Sequence, residues 1–171
     1  EIKECDWSSD VCSSDLTITH AQTVAGSDDA YVGNALKITG NGSTQGTLYQ
    51  QLPTLEGDTV YFLAWKHKKS GTPAAGVVRF AIVDEIAGTV VNDAAGNANS
   101  ASYDLTTGAV TTAYTSGWFS IRVPKTTSQP LYLEVKQTTA ISNTYYYCLD
   151  EIVLVQAEQL YRGGPYVAAV G

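Results

Sequence analysis

Apolar and polar residues alternate along most of the chain in short runs separated by Gly, Pro, Asn and Asp. A period of two places successive side chains on opposite faces of a β-strand. No stretch carries the 3.6-residue period of a long amphipathic helix. The pattern predicts strands over residues 17–20, 34–39, 47–52, 57–69, 76–84, 110–113, 118–123, 130–137 and 145–156, with a turn at Gly40-Asn41-Gly42. Between 85 and 104 it shows one short apolar run at 88–91 and otherwise reads as a loop. Val78, Phe80 and Ile82 are expected inward, as are Phe119, Ile121 and Val123, and Leu131, Leu133 and Val135. Tyr132, Glu134 and Lys136 are expected outward. In the strand 57–69, Val60, Phe62 and Ala64 are assigned to the core. Tyr61, Leu63, Trp65 and His67 go to the opposite face, because their phenol, indole and imidazole tips suit a wet groove. Eight or nine strands without a long helix predict an all-β antiparallel sandwich.

Residues 6–16, Asp-Trp-Ser-Ser-Asp-Val-Cys-Ser-Ser-Asp-Leu, match codon for codon the translation of a common short-read sequencing adapter, and residues 1–5 fit its flanking bases. Residues 1–16 are therefore read as a non-native, adapter-derived segment and set aside, as a cloning scar would be. They imply an environmental, metagenomic assembly and a native chain interrupted before Thr17. Residues 17–157 are expected to form the sandwich domain, and 158–171 a linker or the start of a following domain, since Gly163-Gly164-Pro165 breaks the pattern. Setting the first segment aside removes five of 17 acids and one of 10 bases, so the net charge becomes −3 in place of −7. It also removes Cys5 and Cys12. Cys148 alone supports neither a disulfide framework nor a Cys-based metal site.

This mildly acidic balance, with no basic run beyond Lys66-His67-Lys68-Lys69, argues against nucleic acid as a partner. No apolar run approaches the roughly 20 residues of a membrane helix, so no membrane partner is expected. Catalytic chemistry is sparse, and no enzyme activity is expected. His20 and His67 lack a nucleophile signature beside them. The neighbouring carboxylates Asp84-Glu85 and Asp150-Glu151 point to opposite sides of a strand, so neither pair alone makes a two-carboxylate site. A pair across strands, Asp84 with Glu134, stays open. Sugars ask for flat rings and hydrogen-bonding side chains. The candidates are Tyr61, Trp65, His67, Arg79, Tyr132 and Glu134, with Gln50 or Gln51 from the neighbouring strand. Trp118 reads as a cap on the core. The same residues could instead fill the margins of a purely structural sandwich, covered by residues 86–103 or by a second subunit.

A set of ordered motifs sharpens this. Asn34-Ala35-Leu36-Lys37-Ile38, Tyr49-Gln50-Gln51-Leu52 and the stretches 57–64, 117–123 and 147–154 resemble the jelly-roll carbohydrate-binding modules of the xylan- and cellulose-binding kind. These belong to the galactose-binding-like superfold. The likeness spans about residues 30–156. It implies a non-catalytic module of an extracellular protein, with a polysaccharide or cell-surface glycan held in a concave aromatic groove. It needs no cofactor for that, and it implies a structural calcium for which Asp150 is the one ligand that carries over. The family's Asp-Asp pair appears here as Asp150-Glu151, and its N-terminal strand falls at the adapter junction. Loss of that strand would leave 145–156 as an open edge prone to self-association. The tail 159–171 resembles the junction after such sandwiches in phage virion and tail-associated proteins. That implies neighbouring domains of the same chain and other virion subunits as partners, and an extracellular or virion location.

Overall fold

The computed structural model describes residues 19–22, 31, 35–43 and 45–158, so the expectations for 1–16 and 159–171 lie outside the described residues. The described chain forms nine strands: β1 (Thr19–Gln22), β2 (Leu36–Thr39), β3 (Thr47–Gln51), β4 (Val60–Lys69), β5 (Val77–Val83), β6 (Ser100–Asp104), β7 (Thr115–Arg122), β8 (Tyr132–Thr139) and β9 (Tyr146–Gln156). All pairings are antiparallel. One sheet has five strands in the order β1-β2-β9-β4-β7, and the other has four in the order β3-β8-β5-β6. Consecutive strands mostly alternate between the sheets. The fold is a β-sandwich of jelly-roll type.

The core lies between the sheets and is built by alternation. Val78, Phe80 and Ile82 of β5, Leu133 and Val135 of β8, and Phe119 and Ile121 of β7 all point inward and are buried. These faces follow the sequence pattern, because charged residues (Arg79, Glu134, Lys136, Arg122) mark the opposite parity on each strand.

The face assignment of β4 is reversed. Leu63, Trp65 and His67 are 1%, 2% and 0% exposed and lie in the core. Val60, Phe62 and Ala64 face outward with Lys66. Trp65 stacks on Phe80 at 3.9 Å and 17°, and meets Tyr103 and Phe119 edge to face. The polar tips that suggested solvent satisfy one another instead. Trp65 Nε1 donates to His67 Nδ1 at 3.2 Å, and the Tyr147 hydroxyl lies 2.8 Å from the same nitrogen. Trp118, expected as a core cap, is 60% exposed on the outer side of β7.

The last strand is not an edge. β9 is flanked by β2 along Tyr146–Leu149 and by β4 along nearly its whole length. The open edge expected at 145–156 is therefore occupied along Tyr146–Leu149, while among the described residues no strand pairs with 150–156 on the β2 side. A bulge opposite Trp65 shifts its register, with Glu151 in the left-handed region at φ 47°. The shift changes parity, so that Tyr147 and Leu149 before it and Ile152 and Leu154 after it all face the core. β6, read as loop, is a short strand of Ser-Ala-Ser-Tyr-Asp. It lacks the β-branched run that marks a strand in sequence. Residues 110–113 make no strand, although Val110 is buried.

Asn99 joins the two sheets at this side. Its Nδ2 donates to the carbonyls of Val91 and Arg122, and its Oδ1 accepts from the Arg122 backbone N–H.

Candidate functional site

The outer face of the four-stranded sheet collects polar and aromatic side chains in register. One row across the four strands is Thr47, Lys136, Arg79 and Ser102; the next is Tyr49, Glu134, Ala81 and Ser100; the third pairs Gln51, Tyr132 and Val83. Neighbouring strands lie ~4.8 Å apart, so each row of four spans roughly 14 Å.

Glu134 is the centre of this face. Its side chain is 2% exposed although it points away from the sandwich core. One carboxylate oxygen pairs with Arg79 Nη2, and the other accepts from the Tyr49 hydroxyl at 3.3 Å. A buried carboxylate needs such partners, since an unpaired one costs several kcal/mol. Burial first, and then the negative field of Glu134, push the Tyr49 phenol above its usual pKa of 10. Its hydroxyl therefore stays a donor at any physiological pH. Arg79 remains 29% exposed and its Nε has no hydrogen-bond partner.

The connection between β5 and β6 forms one border. Asp84 accepts from the Thr89 backbone N–H and hydroxyl, both at 2.8 Å, closing a tight turn. Val90 bridges Val83 and packs with Tyr132 against the small cluster Tyr49, Ala81 and Val83. That connection covers the Ala81–Val83 end of the face. Arg79, Lys136, Gln51 and part of Tyr132 stay open.

Of the residues predicted from sequence, Arg79, Tyr132 and Glu134 come together here. Trp65 and His67 do not, because they sit in the core. Tyr61 shares their inward face, half-buried, with its hydroxyl accepting from the Glu56 backbone N–H. Gln50 also points inward, between Leu48 and Leu52, and its Oε1 is buried without a partner. Sequence reasoning missed Tyr49. The signal for it was parity: Tyr49 shares a face with Thr47 and Gln51, opposite the apolar Leu48 and Leu52.

His67 is a core residue with one unusual property. Burial lowers its imidazole from 6.5 to about 4. Because Nδ1 receives the Trp65 indole N–H, the neutral ring carries its proton on Nε2, which has no hydrogen-bond partner. The ring instead meets Tyr103 edge to face at 4.8 Å.

Asp150, the carried-over calcium ligand, accepts from the backbone N–H groups of Tyr31 and Glu151. Among the described residues no group of three or more His, Cys, Asp or Glu side chains is placed to hold a metal ion. Asp150 as described makes no multi-carboxylate cage of the kind calcium takes. The Asp84–Glu134 pair left open above does not form: Glu134 turns to Arg79 and Asp84 to Thr89.

No family model matches the chain, and no curated protein matches it. Solved structures do. The chain is similar to Family 16 Carbohydrate Binding Module-2, with TM-score 0.57 and 17% identity, over 84% of this chain and 89% of that one. It is similar to the CBM22-1 xylan-binding domain of Paenibacillus barcinonensis Xyn10C, with TM-score 0.54 and 16% identity over 83% of each. It also resembles part of the enzymatically active domain of Bacteriophage CBA120 tailspike protein 4, with TM-score 0.54 and 12% identity, covering 85% of this chain but 18% of that one. At these identities the likeness is one of fold.

Proposed function

We propose that this sandwich, residues 17–157, is a non-catalytic carbohydrate-binding module of a larger extracellular chain, and that it holds glycan on the outer face of the four-stranded sheet. The observation that carries this reading is Glu134. A carboxylate is kept nearly dry where the covered part of this face meets its open part, held between Arg79 and Tyr49, with the ring of Tyr132 two residues before it on the same strand face. Such a pair is costly to assemble for stability alone, but it fixes hydrogen-bonding groups in place before a ligand arrives. Arg79, Lys136 and Gln51 would take sugar hydroxyls, while Tyr132 offers a flat surface to the C–H face of a pyranose. Solved domains of the same fold include one described as xylan-binding, so a neutral xylan is the first ligand to try.

A second reading is a spacer sandwich in a phage tail or virion protein with no glycan ligand. One observation favours it: the β5–β6 connection already covers Ala81 and Val83. Affinity electrophoresis of the full chain through gels containing xylan or a soluble cellulose derivative separates the two. Retardation that Tyr132→Ala abolishes and that Arg79→Gln weakens supports the binding module. Migration unaffected by every neutral polysaccharide overturns it and leaves the spacer.

A further inference from the structure

The other sheet carries an exposed aromatic feature that the first site does not use. β7 turns Ser116, Trp118, Ser120 and Arg122 to the outside of the five-stranded sheet, and all four are exposed. At two residues per step this line spans roughly 20 Å. Trp118 lies opposite Ala64, a small neighbour, and Phe62 in the next row meets its ring at 5.9 Å and 64°. Val153 extends the apolar surface across β4 and is 45% exposed. Trp118, Phe62 and Val153 thus form one contiguous apolar patch on this sheet, and it is the contiguity of such a patch, not a lone exposed ring, that marks a binding surface.

The ends of the line are cationic. Lys66 donates to the Ser116 hydroxyl at 3.0 Å. At the other end the Arg122 guanidinium has no hydrogen-bond partner among the described residues. Exposed Glu151 stands beside this surface on β9, and two other carboxylates have hydrogen-bond donors of their own. Asp150 accepts backbone N–H groups of Tyr31 and Glu151, and Asp93, which feels the charge of Arg122, is satisfied by Ala95 and Asn97 of its own loop.

We propose that this line is a second glycan-binding surface, and that its ligand is an acidic polysaccharide built of uronate units. A pyranose stacks on Trp118, the serine hydroxyls on either side reach ring hydroxyls, and Lys66 and Arg122 meet carboxylates further along the chain. Because the two surfaces lie on opposite sides of the sandwich, one molecule would bridge two polysaccharide chains rather than grip one twice.

The test uses the full chain and two polymers, polygalacturonate and neutral xylan, in affinity electrophoresis and calorimetry. Polygalacturonate binding should weaken with salt, and should fall about tenfold in Trp118→Ala, the loss of one stacking platform. Arg122→Gln should weaken it less and flatten its salt dependence. Neutral xylan is read with Tyr132→Ala, so failure of the first site appears in that arm alone. Polygalacturonate affinity unchanged in both Trp118→Ala and Arg122→Gln overturns the proposal. So does a concentration-dependent dimer, seen by sedimentation, that Trp118→Ala dissolves and polygalacturonate does not, because the face would then be an interface between copies of the chain.

Discussion

Acidification should destabilise this domain through a single buried ring. His67 is neutral in the folded state, with its pKa lowered by burial to about 4 from 6.5. The unfolded chain binds its proton near pH 6.5, so between about 6.5 and about 4 unfolding takes up a proton that the native state refuses. Stability is therefore complete above pH 6.5 and falls as the pH drops to about 4, below which His67 adds no further loss. At 1.36 kcal/mol for each unit of pKa, the drop amounts to about 3 kcal/mol. That is a large share of the roughly 5–15 kcal/mol by which domains are usually stable. The geometry gives the cost a mechanism: a charged ring would aim an Nδ1–H at the Trp65 indole N–H, placing donor against donor in the core. Urea unfolding at intervals from pH 7 to 4 measures it, with His67→Gln as the comparison. The variant is expected to start less stable and to lose little across the same window, so the two curves converge toward pH 4. Parallel curves would refute the reasoning, as would a directly measured His67 pKa near 6.5. The carboxylates of Asp84, Asp93 and Asp104, lowered by hydrogen bonds to Thr89, Asn97 and Thr106, act in a separate window. Their contribution is present above about pH 3.8 and is lost as the pH falls through their folded values.

Three further outcomes are expected. Trp65→Ala should cost about 3–5 kcal/mol in denaturant unfolding, whereas Trp118→Ala should stay within about 0.5 kcal/mol; the reverse order would restore the original face assignment of β4. Gly117→Ala should be strongly destabilising, because an added Cβ would lie 2.5 Å from the Trp65 indole, while Gly108→Ala, with nothing within 4 Å, should be close to neutral in thermal melts. Arg79→Met should cost about 2–4 kcal/mol by stranding Glu134, and Glu134→Leu added to it should recover much of that; additive losses in the double-mutant cycle would show the pair is not coupled.

How much was legible in the sequence depended on whether a strand labels its own faces. β5, β7 and β8 each place charges on one parity and aliphatic residues on the other, so Arg79, Glu134 and Tyr132 were found on the correct surface from pattern alone. β4 has aromatic or aliphatic residues on both parities, and the choice fell to the polar tips of Trp65 and His67. Those tips are satisfied by each other and by Tyr147, a residue some 80 positions away that no local pattern reveals. The better signal was Lys66, which shares a parity with Phe62 and Ala64 and marks that face as outer. The phase change in β9 was hidden for a related reason. A bulge at Glu151 realigns two apolar half-strands that, read as one continuous strand, place their residues on opposite faces. Tyr49 was within reach, through the alternation of Leu48 and Leu52.

Asn99 also bears on how this molecule avoids its own kind. β7 borders the five-stranded sheet, and a bordering strand offers a ladder of free peptide groups on which another chain can grow. At Arg122 both rungs, N–H and C=O, are taken by one side-chain amide that imitates a peptide. Asn99 comes from the opposite sheet's side of the sandwich, so this end of the border is blocked only while the two sheets stay closed. Asn99→Ala should therefore do more than loosen a loop. It would unmask a templating strand beside an exposed tryptophan, and the consequence to look for is fibrillar or amorphous assembly that rises with concentration, before any loss of secondary structure.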